Sequence, residues 1–290
     1  MAEPELRRAI AKFWGEAQGS PRNIYDRFIG ASPSADGVGL EQVKDGEIRG
    51  WWCRPRSPKS GCGILFLHGG AYIQGSPKAS RGIASQIAAR VQVATLVISY
   101  PLAPEHPLPA APETALSAYR WLEKQGFENV AIVGESGGGG LALVTLARIA
   151  ADKDPLEGSG RCGALAVDGS FSHRGLDDRS RCRRPILSHD MLADAAKAYV
   201  GSAHARDPLA SPLFESLAGL PPLLIQVGAD EILLDDSVRY ARAGSDAGVP
   251  VTLEIWKGLH HVFQLNSSDL LNARRALDRV GRFLDEAFVR

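Results

Sequence analysis

Short β-branched or apolar runs recur along the chain at 63–67, 93–99, 129–133, 163–167, 222–227 and 251–256. Each is five to seven residues long, the length of a strand buried on both faces. Between and after them, apolar residues return at helical spacing over 80–91, 110–125, 137–151, 235–248 and 269–288. Strands alternating with helices of this length predict βαβ units, hence an α/β fold with a mostly parallel central sheet flanked by helices on both faces. In such sheets the site lies beyond the C-terminal ends of the strands. Two helical stretches fall outside the rhythm, the first forty residues and 188–199. They are expected to form a helical cap or lid over that end. The expected organisation is one domain over 1–290, with the cap from about 1–40 and 186–204 and the catalytic core from the remainder. No internal repeat or low-complexity segment interrupts it.

Composition narrows the partners. With 290 residues and 44% hydrophobic content the chain can bury one large core. Its 33 basic and 33 acidic residues leave no net field to attract nucleic acid or anionic lipid. The partner is therefore expected to be a small molecule in a pocket. Residues 1–18 mix charged and apolar positions and hold no continuous apolar run, so they read as neither a signal peptide nor a membrane span. A cytoplasmic location is expected. The four cysteines Cys53, Cys62, Cys162 and Cys182 lack CxxC spacing and a neighbouring histidine cluster. That pattern reads as reduced thiols and not as a zinc site, and neither metal nor cofactor is expected.

Chemistry is concentrated at Gly134-Glu135-Ser136-Gly137-Gly138, directly after the run 129–133. Strand, sharp glycine turn and helix start make a nucleophile elbow: the serine is held in a strained conformation, and a Cβ two residues to either side would strike the neighbouring backbone. Ser136 then projects Oγ at the N-terminus of the helix 137–151, where backbone N–H groups favour developing negative charge. A serine hydroxyl is a poor nucleophile near neutral pH, so it needs a base, an acid to orient that base, and donors for an oxyanion. Asp230 lies in the loop after 222–227, where an acid must sit to reach a histidine across the sheet edge. Glu231, Asp235 and Asp236 are its rivals, with Asp235 better suited to the first turn of the following helix. After 251–256 come His260 and His261, of which only one can face inward, and spacing does not choose between them. The run His68-Gly69-Gly70-Ala71-Tyr72 follows 63–67. Its small residues let backbone N–H groups join that of Gly137 around a reacting carbonyl oxygen, each donor worth about 3 kcal/mol of barrier. Tyr72 is a candidate wall of the substrate pocket, with Phe13, Trp14 and Tyr25 as further aromatic candidates.

Taken together, HGGAY at 68–72, YPLAPEHPLPAAPE at 100–113, GESGGG at 134–139, DEILLDD at 230–236 and HHVF at 260–263 resemble the hormone-sensitive-lipase-like family of bacterial (family IV) carboxylesterases, in the α/β-hydrolase superfamily. The resemblance spans most of the chain. It implies an α/β-hydrolase fold with Ser136 as nucleophile, Asp230 as acid and His261 as base, leaving His260 as a neighbour. It also implies oxyanion donors from Gly70, Ala71 and Gly137, with Gly69 shaping the turn. Ala71 stands where the family has its third glycine and Gly137 where it usually has alanine, and both keep the N–H. The five prolines between 101 and 112 then fix a long loop that scaffolds the site. The implied activity is hydrolysis of short- to medium-chain acyl esters through an acyl-enzyme. The alternatives are deacetylation or amide hydrolysis of a small natural product, and a non-catalytic ligand receptor on the same fold, which would require a lost base or acid. The last strand, 251–256, is a candidate edge for a homodimer.

One segment departs from the family pattern. Where relatives carry Ser-Pro-Trp-x-Asp-Leu, this chain reads Leu165-Ala166-Val167-Asp168-Gly169-Ser170-Phe171 and then becomes rich in arginine. Written as CTC GCC GTG GAT GGA TCT TTC and read from the second nucleotide, those seven residues give Ser-Pro-Trp-Met-Asp-Leu. The expectation is a frame-shifted stretch over about 166–184, tested by the gene's nucleotides.

Overall fold

The computed structural model describes residues 2–151, 161–168 and 187–289. The stretch read as frame-shifted lies outside the described residues from 169 onward. Eight strands form one sheet in the order β1-β2-β4-β3-β5-β6-β7-β8. From β3 to β8 every neighbouring pair is parallel. The six runs read from the pattern are β3 (Cys62–Leu67), β4 (Ala94–Ile98), β5 (Asn129–Glu135), β6 (Arg161–Asp168), β7 (Leu223–Gly228) and β8 (Val251–Trp256). The pattern missed β1 (Val38–Asp45) and β2 (Ile48–Pro55), an antiparallel hairpin whose second strand pairs antiparallel with β4. No residue of β1 is buried, and β2, though buried at five of its eight positions, is interrupted by Arg49, Gly50 and Arg54, so neither carries the unbroken apolar run that marks the central strands.

Alternation along the strands builds two apolar layers. On β3 and β5, Leu65, Leu67, Val130 and Ile132 face a core shared with α4 (Ala110–Lys124), α5 (Gly137–Ala151) and α6 (His189–Val200). Their neighbours Ile64, Phe66, Ala131 and Val133 face the opposite core, with α3 (Pro77–Val91) and α8 (Leu271–Val289). With both faces covered, side chains of either parity are buried, as expected of a parallel sheet.

The chain starts with α1 (Glu3–Glu16) and α2 (Pro21–Ile29). Leu6 and Ile10 of α1 pack with Leu259, Phe263, Leu270, Ala273 and Ala276, the region that follows β8. Phe13 and Trp14 of α1 meet Phe28 of α2 at ring-centroid distances of 5.7 and 5.3 Å. Tyr25 packs against the apolar layer of α3 and α8. These aromatics join the helices to each other and to the core. The last helix before β8, α7 (Leu234–Asp246), covers β7 and β8.

Candidate active site

The turn between β5 and α5 places Ser136 with φ of 53°. That left-handed conformation costs an L-residue roughly 1–2 kcal/mol and is sustained only where the surroundings dictate it. Two glycines make it sterically possible. A Cβ on Gly134 would strike the carbonyl of Gly138, and one on Gly138 would strike the carbonyls of Leu67 and His68. Helix α5 opens on four glycines, each unfavourable by about 1 kcal/mol relative to alanine. Contact with β3 and the loop after it therefore holds this helix start where intrinsic propensity opposes it.

Four of the five non-glycine residues with positive φ among the described residues are Ser136 and residues beside it. They are Ala71 (51°), Tyr72 (64°), Ser136 itself and Val262 (52°). A β-branched residue in this region is an outlier, so Val262 marks a loop bent to aim its predecessor, His261. His261 Nε2 lies 2.8 Å from Ser136 Oγ. Its Nδ1 faces Glu231 Oε2 in a short hydrogen bond. With the Nδ1 proton directed at the carboxylate, Nε2 is the acceptor for the serine hydroxyl. Ser136, Glu231 and His261 are all buried. The second oxygen of Glu231 accepts from the Gly228 N–H at 2.9 Å, so both carboxylate oxygens are fixed.

The carboxylate paired with His261 thus differs from the one the sequence expectation names. Glu231, not Asp230, makes the short hydrogen bond to His261 Nδ1, while Asp230 Oδ2 accepts from Arg7 Nη2 at 2.9 Å with its side chain 44% exposed. Adjacent residues in the turn after β7 point to opposite sides, and the inward one is Glu231, a rival in the first reading. The Asp230 N–H donates to the Leu259 carbonyl at 3.1 Å, which fixes that turn against the loop after β8. The two histidines turn apart. His261 faces Ser136, while His260, 1% exposed, turns to Glu3 of α1 at 2.6 Å and to Asn266.

Opposite His261 runs the loop after β3. The Gly69 N–H donates to the carboxylate of Glu135, which occupies that donor and leaves Gly69 to shape the turn. A Cβ built on Gly137 would lie 3.1 Å from Ala71 N, so the backbones of the loop and the elbow are in contact. This brings Gly70, Ala71 and Gly137 to one side of Ser136. His68 is structural: it is fully buried, stacks on Tyr100 at 4.2 Å, and its Nδ1 donates to the Gly69 carbonyl at 2.8 Å. Burial pulls its pKa down to about 4, against the raising effect of that hydrogen bond, so the ring is neutral near pH 7. Burial also dominates at Glu135 and pushes its carboxyl up to about 7, although the Gly69 N–H and the nearby His261 pull it down. Tyr72 is 1% exposed and stacks on Tyr199 of α6 at 3.7 Å with rings 7° from parallel. The Tyr72 carbonyl accepts from Ala103 of the proline-rich loop at 2.9 Å. Tyr72 thus joins loop, scaffold and α6 and is buried between them.

Among the described residues no group of His, Cys, Asp and Glu is placed to hold a metal ion, and none of their helices is long and apolar enough to cross a membrane. A family model described as an alpha/beta hydrolase fold matches residues 64–265. The chain belongs to the α/β-hydrolase family. It is 37% identical to an acetyl-hydrolase of Streptomyces hygroscopicus over 296 residues, covering 99% of this chain and 98% of that one. It is 30% identical to an esterase of Acinetobacter venetianus, over 90% of this chain and 87% of the relative. Among solved structures, an esterase from the bacterial hormone-sensitive lipase family superposes with a TM-score of 0.90 at 29% identity, covering 99% of both chains. An esterase/lipase from an uncultured bacterium superposes at 0.87 with 33% identity, again over 99% of both. The hydrolase fold expected from the βαβ rhythm and from the motifs is the fold found.

Proposed function

We propose that this α/β-hydrolase is a serine carboxylesterase acting on short- to medium-chain acyl esters, with Ser136, His261 and Glu231 as its catalytic residues. The observation that carries the reading is the unbroken hydrogen-bond chain from Glu231 through His261 to Ser136 Oγ. Glu231 holds the imidazole with its Nδ1 proton inward. His261 Nε2 takes the proton of Ser136 as Oγ attacks the ester carbonyl. The oxyanion accepts hydrogen bonds from the backbone N–H groups of Gly70, Ala71 and Gly137. The tetrahedral intermediate collapses, His261 returns the proton to the leaving alcohol, and water repeats the cycle on the acyl-enzyme. Every charge that develops is met by a side chain or backbone dipole of the chain itself, so the scheme draws on no cofactor.

The family relatives, acetyl-hydrolases and esterases by name, support a carboxylic ester substrate. The same parts serve an amide leaving group, so deacetylation of a small amide is the second reading. A series of p-nitrophenyl esters from acetate to decanoate, with p-nitroacetanilide alongside, separates them. Highest kcat/KM among the shorter esters is the expected result, and preference for the anilide would replace the first reading with the second. Ser136→Ala should abolish hydrolysis of p-nitrophenyl butyrate with the fold intact by circular dichroism; retained turnover would remove the mechanism.

The proposal includes the cap, made of α1, α2 and α6, and a homodimer through β8, the edge of the sheet. It also includes a cytoplasmic location. Cys53 and Cys62, the cysteines whose state is described, are free and buried, in keeping with that location.

A further inference from the structure

We propose that α1 is a clamp that positions the catalytic pair, with Glu3 and Arg7 holding the two loops that carry Glu231 and His261. The inference rests on the ester-hydrolase reading above.

Each of the two residues grips a neighbour of a catalytic residue. Arg7 Nη2 donates to Asp230 Oδ2 and to the Gly258 carbonyl, both at 2.9 Å, so one guanidinium spans the loop after β7 and the loop after β8. Its Nε donates to Glu3 Oε1 at 3.0 Å, one turn earlier on α1. The same Glu3 oxygen accepts from His260 Nδ1 at 2.6 Å. On the far side of the ring, Asn266 Nδ2 meets His260 Nε2 at 3.2 Å. The Asn266 amide also donates to the Phe263 carbonyl at 3.4 Å, which sets its NH2 toward the ring. His260 is thus bonded at both ring nitrogens. Asp230 precedes Glu231, and His260 precedes His261.

The two gripped loops also touch one another, since a Cβ on Gly228 would strike the Leu259 carbonyl. Burial works to raise the Glu3 carboxyl, but the hydrogen bonds and charges of His260 and Arg7 outweigh it and hold it ionised below its ordinary value. Leu6 and Ile10 seat the same helix on Leu259 and Phe263, which flank the histidine pair. The polar face of α1 thus fixes the register of the loops while its apolar face seals them. A loop residue displaced by a fraction of an ångström loses in-line geometry, and such losses appear in kcat.

The test uses the full chain and two readouts, hydrolysis of p-nitrophenyl acetate and the rate at which a fluorophosphonate labels Ser136. Arg7→Ala is expected to lower kcat and the labelling rate together by about 10-fold, with KM moved less than about twofold. Glu3→Gln and Arg7→Lys, which each retain part of the network, should fall between it and the wild type. Arg90→Ala removes the ion pair of α3 with Asp278 on α8, far along the chain from these loops, and sets the scale of a purely structural loss. Wild-type labelling and kcat in Arg7→Ala would overturn the clamp, as would a loss matched by Arg90→Ala at equal change in melting temperature. If Arg7→Ala does not fold, Glu3→Gln and Arg7→Lys carry the same comparison. A wild-type chain that neither hydrolyses the ester nor is labelled would instead overturn the ester-hydrolase reading.

Discussion

Two neighbouring acids, Asp230 and Glu231, differ in partner because the turn after β7 sends one side chain outward to Arg7 and the other inward to His261. Glu231→Gln should keep the fold and lower kcat by about three to four orders of magnitude, because the amide no longer stabilises an imidazolium and can favour the wrong tautomer. Asp230→Asn should retain turnover within about 10-fold. Reversed kcat values for the two variants would return the acid to Asp230. The histidines divide the same way: His261→Ala should be almost inactive on p-nitrophenyl butyrate, and His260→Ala should keep substantial turnover. Glu135 has a different signature. Its carboxyl is raised from 4.5 to about 7 by burial, so the folded state holds the proton more tightly than the unfolded chain. The stability this confers is fully present below about pH 4.5 and is lost as pH rises through about 7, an effect on the order of 3 kcal/mol. Thermal melts between pH 5 and 8 should show that fall, and Glu135→Gln should flatten it. An unchanged slope in the variant would assign the effect to other groups.

At the scale of elements, the site is a meeting of loops whose strain is carried by the elements behind them. The left-handed φ values of Ala71 and Tyr72 are supported by contact with Gly137, by the bond from Ala103 to the Tyr72 carbonyl, and by the Tyr72–Tyr199 stack. Tyr199→Ala removes that stack and the buried ring from α6. A loss of about 3–5 kcal/mol follows from truncating a buried aromatic. Because α6 then no longer presses on the oxyanion loop, kcat/KM should fall as well. Urea melts and kcat/KM for p-nitrophenyl butyrate measure the two effects, and a variant less stable by this amount with unchanged kcat/KM would separate α6 from the oxyanion loop. The ion pairs of α1 act through geometry more than energy. With Asp230 44% exposed, the Arg7–Asp230 pair adds at most about 1 kcal/mol.

Over the whole molecule, the sheet ends in β1 on one side and β8 on the other, with Ile255 of β8 47% exposed. An uncovered apolar position on an edge strand favours pairing with a second copy. Sedimentation equilibrium should give twice the 31.0 kDa of one chain, and Ile255→Lys should return it to the monomer. A monomeric wild type would remove the dimer from the proposal. The balance of 33 basic and 33 acidic residues leaves specificity to the pocket, since no long-range field selects among neutral esters.

The central strands, the helices between them, Ser136 and the glycines at its elbow were legible in the sequence because each depends on a local rule. A buried strand needs a short apolar run, and a strained serine needs glycine two residues to either side. The hairpin β1–β2 was not legible, because β1 is exposed and β2 is broken by Arg49, Gly50 and Arg54, and their place comes from pairing with each other and of β2 with β4. Nor did local spacing choose between His260 and His261; the family resemblance names His261, and the structure puts that ring against Ser136 and the other against Glu3. The partner of His261 Nδ1 needed the tertiary structure. Adjacent side chains diverge at a turn, and which one meets a histidine thirty residues later depends on how β7 and β8 pair and on Arg7 of α1 engaging the outer carboxylate. The sequence by itself determined which residue types stand at the strand ends; the packing of α1 and the parallel sheet decided which of them touch, because contact between residues distant in the chain is a property of the assembled layers.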